Sequence, residues 1–141
     1  MQILELIYPM AALFTLTFFI MYLMLFVRVK AVRSRQVSPR YFKLNKGGEL
    51  PEQVEAIAQN YGNLLEFPVL FYSVCIIAII LNKSADYFIY CAWAFVISRV
   101  IHSYIHITYN HILHRLAAFA ISGFILILMW LKVVLIVANK V

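Results

Sequence analysis

The stretch NLLEFPVLFYSVCIIAIIL, residues 63–81, is apolar enough to cross a membrane, yet it opens with an asparagine, a glutamate and a proline. Three further segments are similarly apolar, and the chain of 141 residues is 65% hydrophobic and only 13% charged. Soluble domains are about half apolar and about a quarter charged. The composition therefore indicates an integral membrane protein that forms a single domain over residues 1–141.

Four segments are long enough to be transmembrane helices, because about 20 apolar residues at about 1.5 Å each cross a bilayer. The sequence predicts helices over about 6–27, 51–81, 85–107 and 112–138. Pro68 is expected to kink the second helix, since a proline cannot bond the carbonyl of Leu64. Short connections after the second and third helices favour antiparallel neighbours and thus an all-α, four-helix membrane bundle.

A basic segment, residues 28–50, separates the first two predicted helices and carries seven of the twelve lysines and arginines. Basic residues beside a span favour the cytoplasmic side, so this pattern predicts a cytoplasmic loop with both termini outside. No nucleic-acid-binding motif accompanies the segment, and we expect no nucleic-acid partner. The first apolar segment lacks the basic start and cleavage pattern of a signal peptide, so it is expected to remain as a span.

Polar side chains recur at helical spacing on the two middle helices. They are Gln59, Asn63 and Glu66 on the second helix and Arg99, His102 and His106 on the third. Spacings of three and four residues place each set on one helix face. Counted inward at about 1.5 Å per residue, Glu66 and Arg99 reach similar depth. We therefore predict an ion pair between them, because a lone charge inside a bilayer costs at least about 2.5 kcal/mol.

Two interpretations of these polar faces remain open. They either form an ion pair and hydrogen-bond ladder that joins two helices, or they open on a cavity for a ligand with carboxylates. Arg28 and Arg115, at the ends of the first and fourth helices, favour the cavity because guanidinium groups bind carboxylates well. A metal site is not expected, since His102 and His106 have no further ligand nearby except Glu66.

The combination of four helices, a basic first loop, an Asn-x-x-Glu motif followed by proline and an Arg-x-x-His motif resembles the MAPEG family. These are membrane-associated proteins in eicosanoid and glutathione metabolism. The stretches NYGNLLEFPVLFY (60–72) and SRVIHSYIHITYNHILHR (98–115) are similar to small bacterial members, which implies a bacterial inner membrane. The resemblance also implies a homotrimer, with glutathione bound between neighbouring subunits.

By position, the resemblance implies a catalytic role for Arg115, as the arginine that stabilises the glutathione thiolate. It implies cofactor-binding roles for Arg28, Gln59, Asn63, Glu66, Arg99, His102 and His106. Gln59 and Gly62 stand where family members carry arginine, which removes positive charge from the implied site. The implied activity is that of a glutathione transferase or peroxidase acting on a hydrophobic small-molecule substrate, either an electrophile or a lipid peroxide.

Two other functions stay open at this point. The first is a non-catalytic protein of the same fold that binds membrane lipids or a partner. The second is a small four-helix transporter of the multidrug type, which would use a membrane glutamate to exchange cations. The predicted pairing of Glu66 with Arg99 argues against the transporter, because that mechanism needs an unpaired glutamate.

Overall fold

The computed structural model describes residues 2–44, 48–83 and 85–139, and these residues form helices and connections without a strand. A 3-10 turn, Gln2–Leu6, leads into the long helix α1, Ile7–Arg33. The other helices are α2 (Tyr41–Leu44), α3 (Glu52–Glu66), α4 (Pro68–Leu81), α5 (Ala85–Ile107) and α6 (Ile112–Ala138).

Four helical segments in the described part of the chain are long and apolar enough to cross a membrane. They are Ile3–Arg33, Glu52–Leu81, Ala85–Ile107 and Ile112–Ala138. The protein is therefore an integral membrane protein. The predicted all-α, four-helix membrane bundle is confirmed.

The second span is interrupted where the sequence places a proline. Helix α3 ends at Glu66, Phe67 links the two helices, and α4 begins at Pro68. Phe67 keeps helical backbone angles, with φ −68° and ψ −41°, and the N–H of Leu70 bonds its carbonyl at 3.3 Å. The proline thus removes one backbone donor, but α3 and α4 together still form one span.

Helix α5 is the central helix of the bundle. It contacts α1, α3, α4, α6 and the N-terminal turn. In its most apolar stretch, half of the residues are buried, against 17% to 33% in the corresponding stretches of the other three spans. Its buried residues change character along the helix: an apolar half contains Phe88, Ala92, Phe95 and Val96, and a polar half contains Ser98, Arg99, His102, Ser103 and His106.

The basic segment begins as helix rather than as loop. Helix α1 continues beyond its predicted end near Val27 to Arg33, because lysine, arginine and alanine favour helix once the chain leaves the apolar region. A small apolar cluster of Ala31, Val37 and Val54 then holds the loop against α1 and α3. We call this end of the bundle, which also contains the turn between α5 and α6, the basic end.

Candidate functional site

A cavity of about 260 Å³ lies between α3, α5 and α6 near the basic end. Its walls are formed by Asn63, His102, Ile112, Arg115, Leu116 and Phe119. We call it the polar cavity. It brings together three of the site residues that the sequence predicted, one from each of the three helices.

The tight turn between α5 and α6 places Arg115 in the polar cavity. Asn110 adopts a left-handed backbone conformation, with φ 48°, which asparagine tolerates better than most residues. Its N–H bonds the carbonyl of Ile105 at 2.8 Å, which closes the turn. Arg115 Nη1 donates to Asn110 Oδ1 at 2.8 Å, while its Nε is buried without a partner. The turn therefore fixes the guanidinium of Arg115 through Nη1, whereas Nε has no hydrogen-bond acceptor.

His102 is fixed by a hydrogen bond to the first turn of α6. Its Nδ1 lies 3.1 Å from the backbone carbonyl oxygen of Arg115. A carbonyl oxygen can only accept, so Nδ1 carries the proton and donates it. In a neutral imidazole, Nε2 then presents a free lone pair. Nε2 is buried and has no partner, in a side chain that is only 3% exposed.

Arg99 is fully buried yet makes few polar contacts. Its Nη2 donates to the backbone carbonyl of Asn63 at 3.3 Å, and its Nε and Nη1 have no partner. The guanidinium carbon lies 5.7 Å from the ring centres of both Phe67 and Phe119, which is within cation–π range. Because Phe119 also lines the polar cavity, Arg99 lies directly behind an aromatic wall of that cavity.

The predicted ion pair between Glu66 and Arg99 is wrong for a single copy of the chain. Both residues lie in the described part of the structure, where Glu66 is exposed and Arg99 bonds only the carbonyl of Asn63. The cause is the rotation of α3, which buries Asn60 and Leu64. Glu66 follows Leu64 by two residues and so lies about 200° around the helix from it.

Two other predicted ligands also lie outside the polar cavity. Gln59 is exposed on α3 and donates to Glu55 Oε1 at 3.2 Å, one helical turn earlier. The guanidinium carbon of Arg28, near the end of α1, lies 5.2 Å from the ring centre of Phe42. Within one copy, therefore, neither Gln59 nor Arg28 contributes to the polar cavity.

His106 lines a second cavity of about 260 Å³, formed by the first turns of α3 and the turn after α5. The side chain is 1% exposed, and neither ring nitrogen has a partner. Its ring centre lies 5.6 Å from that of His102. Within residues 2–44, 48–83 and 85–139, no group of three or more His, Cys, Asp or Glu could hold a metal ion.

Comparison with models of protein families identifies the family of this chain. The model of the MAPEG family matches residues 6–135, which is nearly the whole sequence. The chain belongs to the MAPEG family. MAPEG proteins are generally associated with glutathione. Searches of curated proteins and of solved structures each gave no match. Family membership, and not the predicted ion pair, is thus what favours glutathione chemistry over transport.

An apolar groove of about 380 Å³ runs along α4 and α6 of this MAPEG chain. Its walls are formed by Phe67, Leu70, Gly123, Leu126, Ile127, Trp130, Leu131 and Val134. The Phe67 ring in the groove packs on the Phe119 ring of the polar cavity, with ring centres 4.7 Å apart. Two aromatic rings therefore separate the apolar groove from the polar cavity.

The sequence analysis missed a buried polar pair between α3 and α5. Ser103 Oγ donates to Asn60 Oδ1 at 3.1 Å, and Asn60 Nδ2 has no partner. A signal for Asn60 was present in the sequence. It lies three residues after Ile57 and four before Leu64, so it shares the face that these apolar residues bury.

Proposed function

We propose that this MAPEG protein is a membrane-bound, glutathione-dependent transferase or peroxidase that acts on hydrophobic electrophiles or lipid peroxides. The supporting observation is the set of buried nitrogen atoms without partners around the polar cavity. They are Arg115 Nε, His102 Nε2 and, behind Phe119, Arg99 Nε and Nη1. Buried polar groups are normally hydrogen-bonded, so a cluster of unmatched ones fits a polar ligand.

These residues fit glutathione in charge and in hydrogen bonding. Glutathione carries two carboxylates and one ammonium group at neutral pH. Arg99 and Arg115 supply two guanidinium groups at or beside the cavity, and the Asn63 side chain can both donate and accept. We propose that Asn63, His102 and Arg115 form the part of the glutathione site that one copy provides, with Arg99 supporting it from behind.

Arg115 is the proposed catalytic residue. When bound, glutathione supplies a thiol whose thiolate form is the nucleophile. An arginine stays charged at ordinary pH, so Arg115 does not act as a base but stabilises negative charge beside its guanidinium. The hydrogen bond from Arg115 to Asn110 orients this group before any ligand binds.

The apolar groove gives a hydrophobic substrate a route to the polar cavity. Ile127, Leu131 and Val134 in its wall are each more than half exposed, so the groove opens on the outer surface of the bundle. A substrate dissolved in the membrane would enter laterally between α4 and α6. It would meet the polar cavity at the rings of Phe67 and Phe119.

We propose that further copies of the chain complete the site with the remaining predicted ligands. Glu66 is exposed within a membrane span, where a charge facing lipid costs at least about 2.5 kcal/mol. We propose that a neighbouring copy in a homotrimer covers this face. Glu66, Gln59 and Arg28 would then contribute to glutathione binding at the contacts between copies, and His106 would contribute from the second cavity that it lines.

The arrangement of charge supports a proposed orientation. The exposed Lys30 and Arg33 of α1 lie at the basic end, which is therefore expected to face the cytoplasm. Four antiparallel spans then place both termini on the outer side. We propose the bacterial inner membrane as the location.

The test of this function uses purified protein in detergent. We expect glutathione to raise the melting temperature of the wild type. Arg115→Ala should lower turnover of a reactive aryl halide by about 100- to 1000-fold, as loss of a charge-stabilising donor does elsewhere, without lowering the melting temperature of the free protein. Arg40→Ala is the matched control, because Arg40 is an exposed arginine of the loop, and it should retain activity.

Other outcomes would replace the proposal. If millimolar glutathione changes neither melting nor turnover in the wild type, the protein is a non-catalytic MAPEG member that binds lipid or a partner. Proton-coupled uptake in vesicles that Glu66→Gln removes would instead establish a transporter.

A further inference from the structure

We infer that His102 accepts the proton of the thiol bound in the polar cavity, which makes it a second catalytic residue beside Arg115. This inference rests on the proposed function. It adds the atom that receives the proton, which is Nε2 of the imidazole.

The two nitrogens of His102 differ in a way that suits a proton acceptor. Nδ1 donates to the carbonyl of Arg115, so the lone pair is on Nε2. Nε2 is buried without a partner in a ring that lines the polar cavity. After Nε2 gains a proton, the same carbonyl continues to accept from Nδ1 and holds the ring in place. An acceptor on the far nitrogen orients catalytic histidines in hydrolases in the same way.

The proposed step balances in atoms and charge. The S–H bond breaks and an N–H bond forms at His102 Nε2, so a neutral thiol and a neutral imidazole become a thiolate and an imidazolium. The guanidinium of Arg115, which lines the same cavity, stabilises the thiolate. After the thiolate attacks an aryl halide, the halide leaves and Nε2 releases its proton to water.

Charged and titratable groups on two helices lie around His102. The groups that interact electrostatically with the His102 imidazole are Arg99 and His106 on α5 and Arg115 on α6. In the described part of the chain, α3 adds only the neutral Asn63 to this cavity wall, and α1 and α4 add no charged group to it.

The sharpest test is His102→Asn. The amide nitrogen of asparagine takes approximately the place of Nδ1 and can still donate to the Arg115 carbonyl, but nothing replaces Nε2. We expect this variant to keep its melting temperature and its affinity for S-methylglutathione, which has no thiol proton. The ultraviolet absorbance of bound glutathione thiolate should appear only at higher pH than in the wild type. Turnover at neutral pH should fall about 100-fold, which is typical of a lost general base.

Two further variants separate a catalytic role from a structural one. His102→Gln places its amide near Nε2 and loses the Nδ1 donor, so it should lower the melting temperature as well as turnover. His111→Asn changes an exposed histidine near the same turn and should behave as wild type. If His102→Asn shows wild-type thiolate absorbance and turnover, His102 merely joins α5 to α6 and the inference is overturned.

Failure of this inference is distinguishable from failure of the proposed function. If the wild type binds neither glutathione nor S-methylglutathione, both are wrong. If the wild type binds glutathione and Arg115→Ala loses turnover while His102→Asn does not, only the role of His102 is wrong.

Discussion

Both halves of α5 contain buried side chains, but the buried groups of the two halves find contact partners to very different degrees. In the apolar half, Phe95 stacks on Phe71 with ring centres 4.5 Å apart and planes within 5°. In the polar half, Arg99, His102 and His106 all retain buried nitrogen atoms without partners. The chain alone completes the packing of one half, whereas the other half has unmet hydrogen bonds. This difference indicates that the apolar half stabilises the bundle, and it supports our proposal that the polar half binds a ligand.

The largest expected effect on stability comes from the apolar half. Phe95→Ala should lower the free energy of unfolding by about 3–5 kcal/mol, because it removes a fully buried ring from contact with Phe67 and Phe71. Denaturant titration in mixed micelles measures this loss. Ile97→Ala, at a position that is 55% exposed, should cost about 0.5 kcal/mol or less. Equal losses in the two variants would show that the buried ring of Phe95 does not stabilise the bundle.

Removing the charge from the polar half should have the opposite effect on stability. Arg99→Met keeps an extended side chain and removes the unmatched Nε and Nη1. It gives up the bond to Asn63 and the cation–π contacts with Phe67 and Phe119. We expect the free energy of unfolding to rise by about 1–2 kcal/mol, as it does when other buried charges are replaced by apolar groups. The variant should therefore be more stable than the wild type. The rise in melting temperature that we expect glutathione to give the wild type should disappear in this variant. A strongly destabilised Arg99→Met would show instead that the bundle itself needs the guanidinium.

The smallest expected effect concerns the pair between Ser103 and Asn60. Ser103→Ala removes the donor to Asn60 Oδ1 and leaves that buried amide unmatched, which should cost about 1 kcal/mol. Adding Asn60→Leu removes the amide as well and should recover most of the loss. A double-mutant cycle in the same micelles measures the coupling. Strictly additive losses would show that the two side chains do not interact.

The fold could be predicted because length and composition are sufficient to define membrane spans. The sequence placed the third and fourth helices over the residues where Ala85–Ile107 and Ile112–Ala138 lie. The end of α1 was placed too early, since the first charge after an apolar run marks the edge of the apolar region and not the end of the helix. Arg33, beyond that edge, is still helical.

The site was predicted in part, because spacing shows which residues share a face but not which face packs. Matching charges by depth paired Glu66 with Arg99, whereas α3 turns Asn60 and Leu64 inward and leaves Glu66 exposed. Ile57 and Leu64, which share a helix face with Asn60, indicate which face of α3 is buried. Contacts between copies, which we propose for Glu66, leave no comparable pattern in a single sequence.

The hydrogen bond between His102 and the carbonyl of Arg115 spans only thirteen residues of chain, all within the hairpin of α5 and α6. Local contacts of this kind form early and need no other subunit. The position of the His102 ring relative to the first turn of α6 is therefore set within a single copy. This hydrogen bond does not depend on the contacts between copies that we propose.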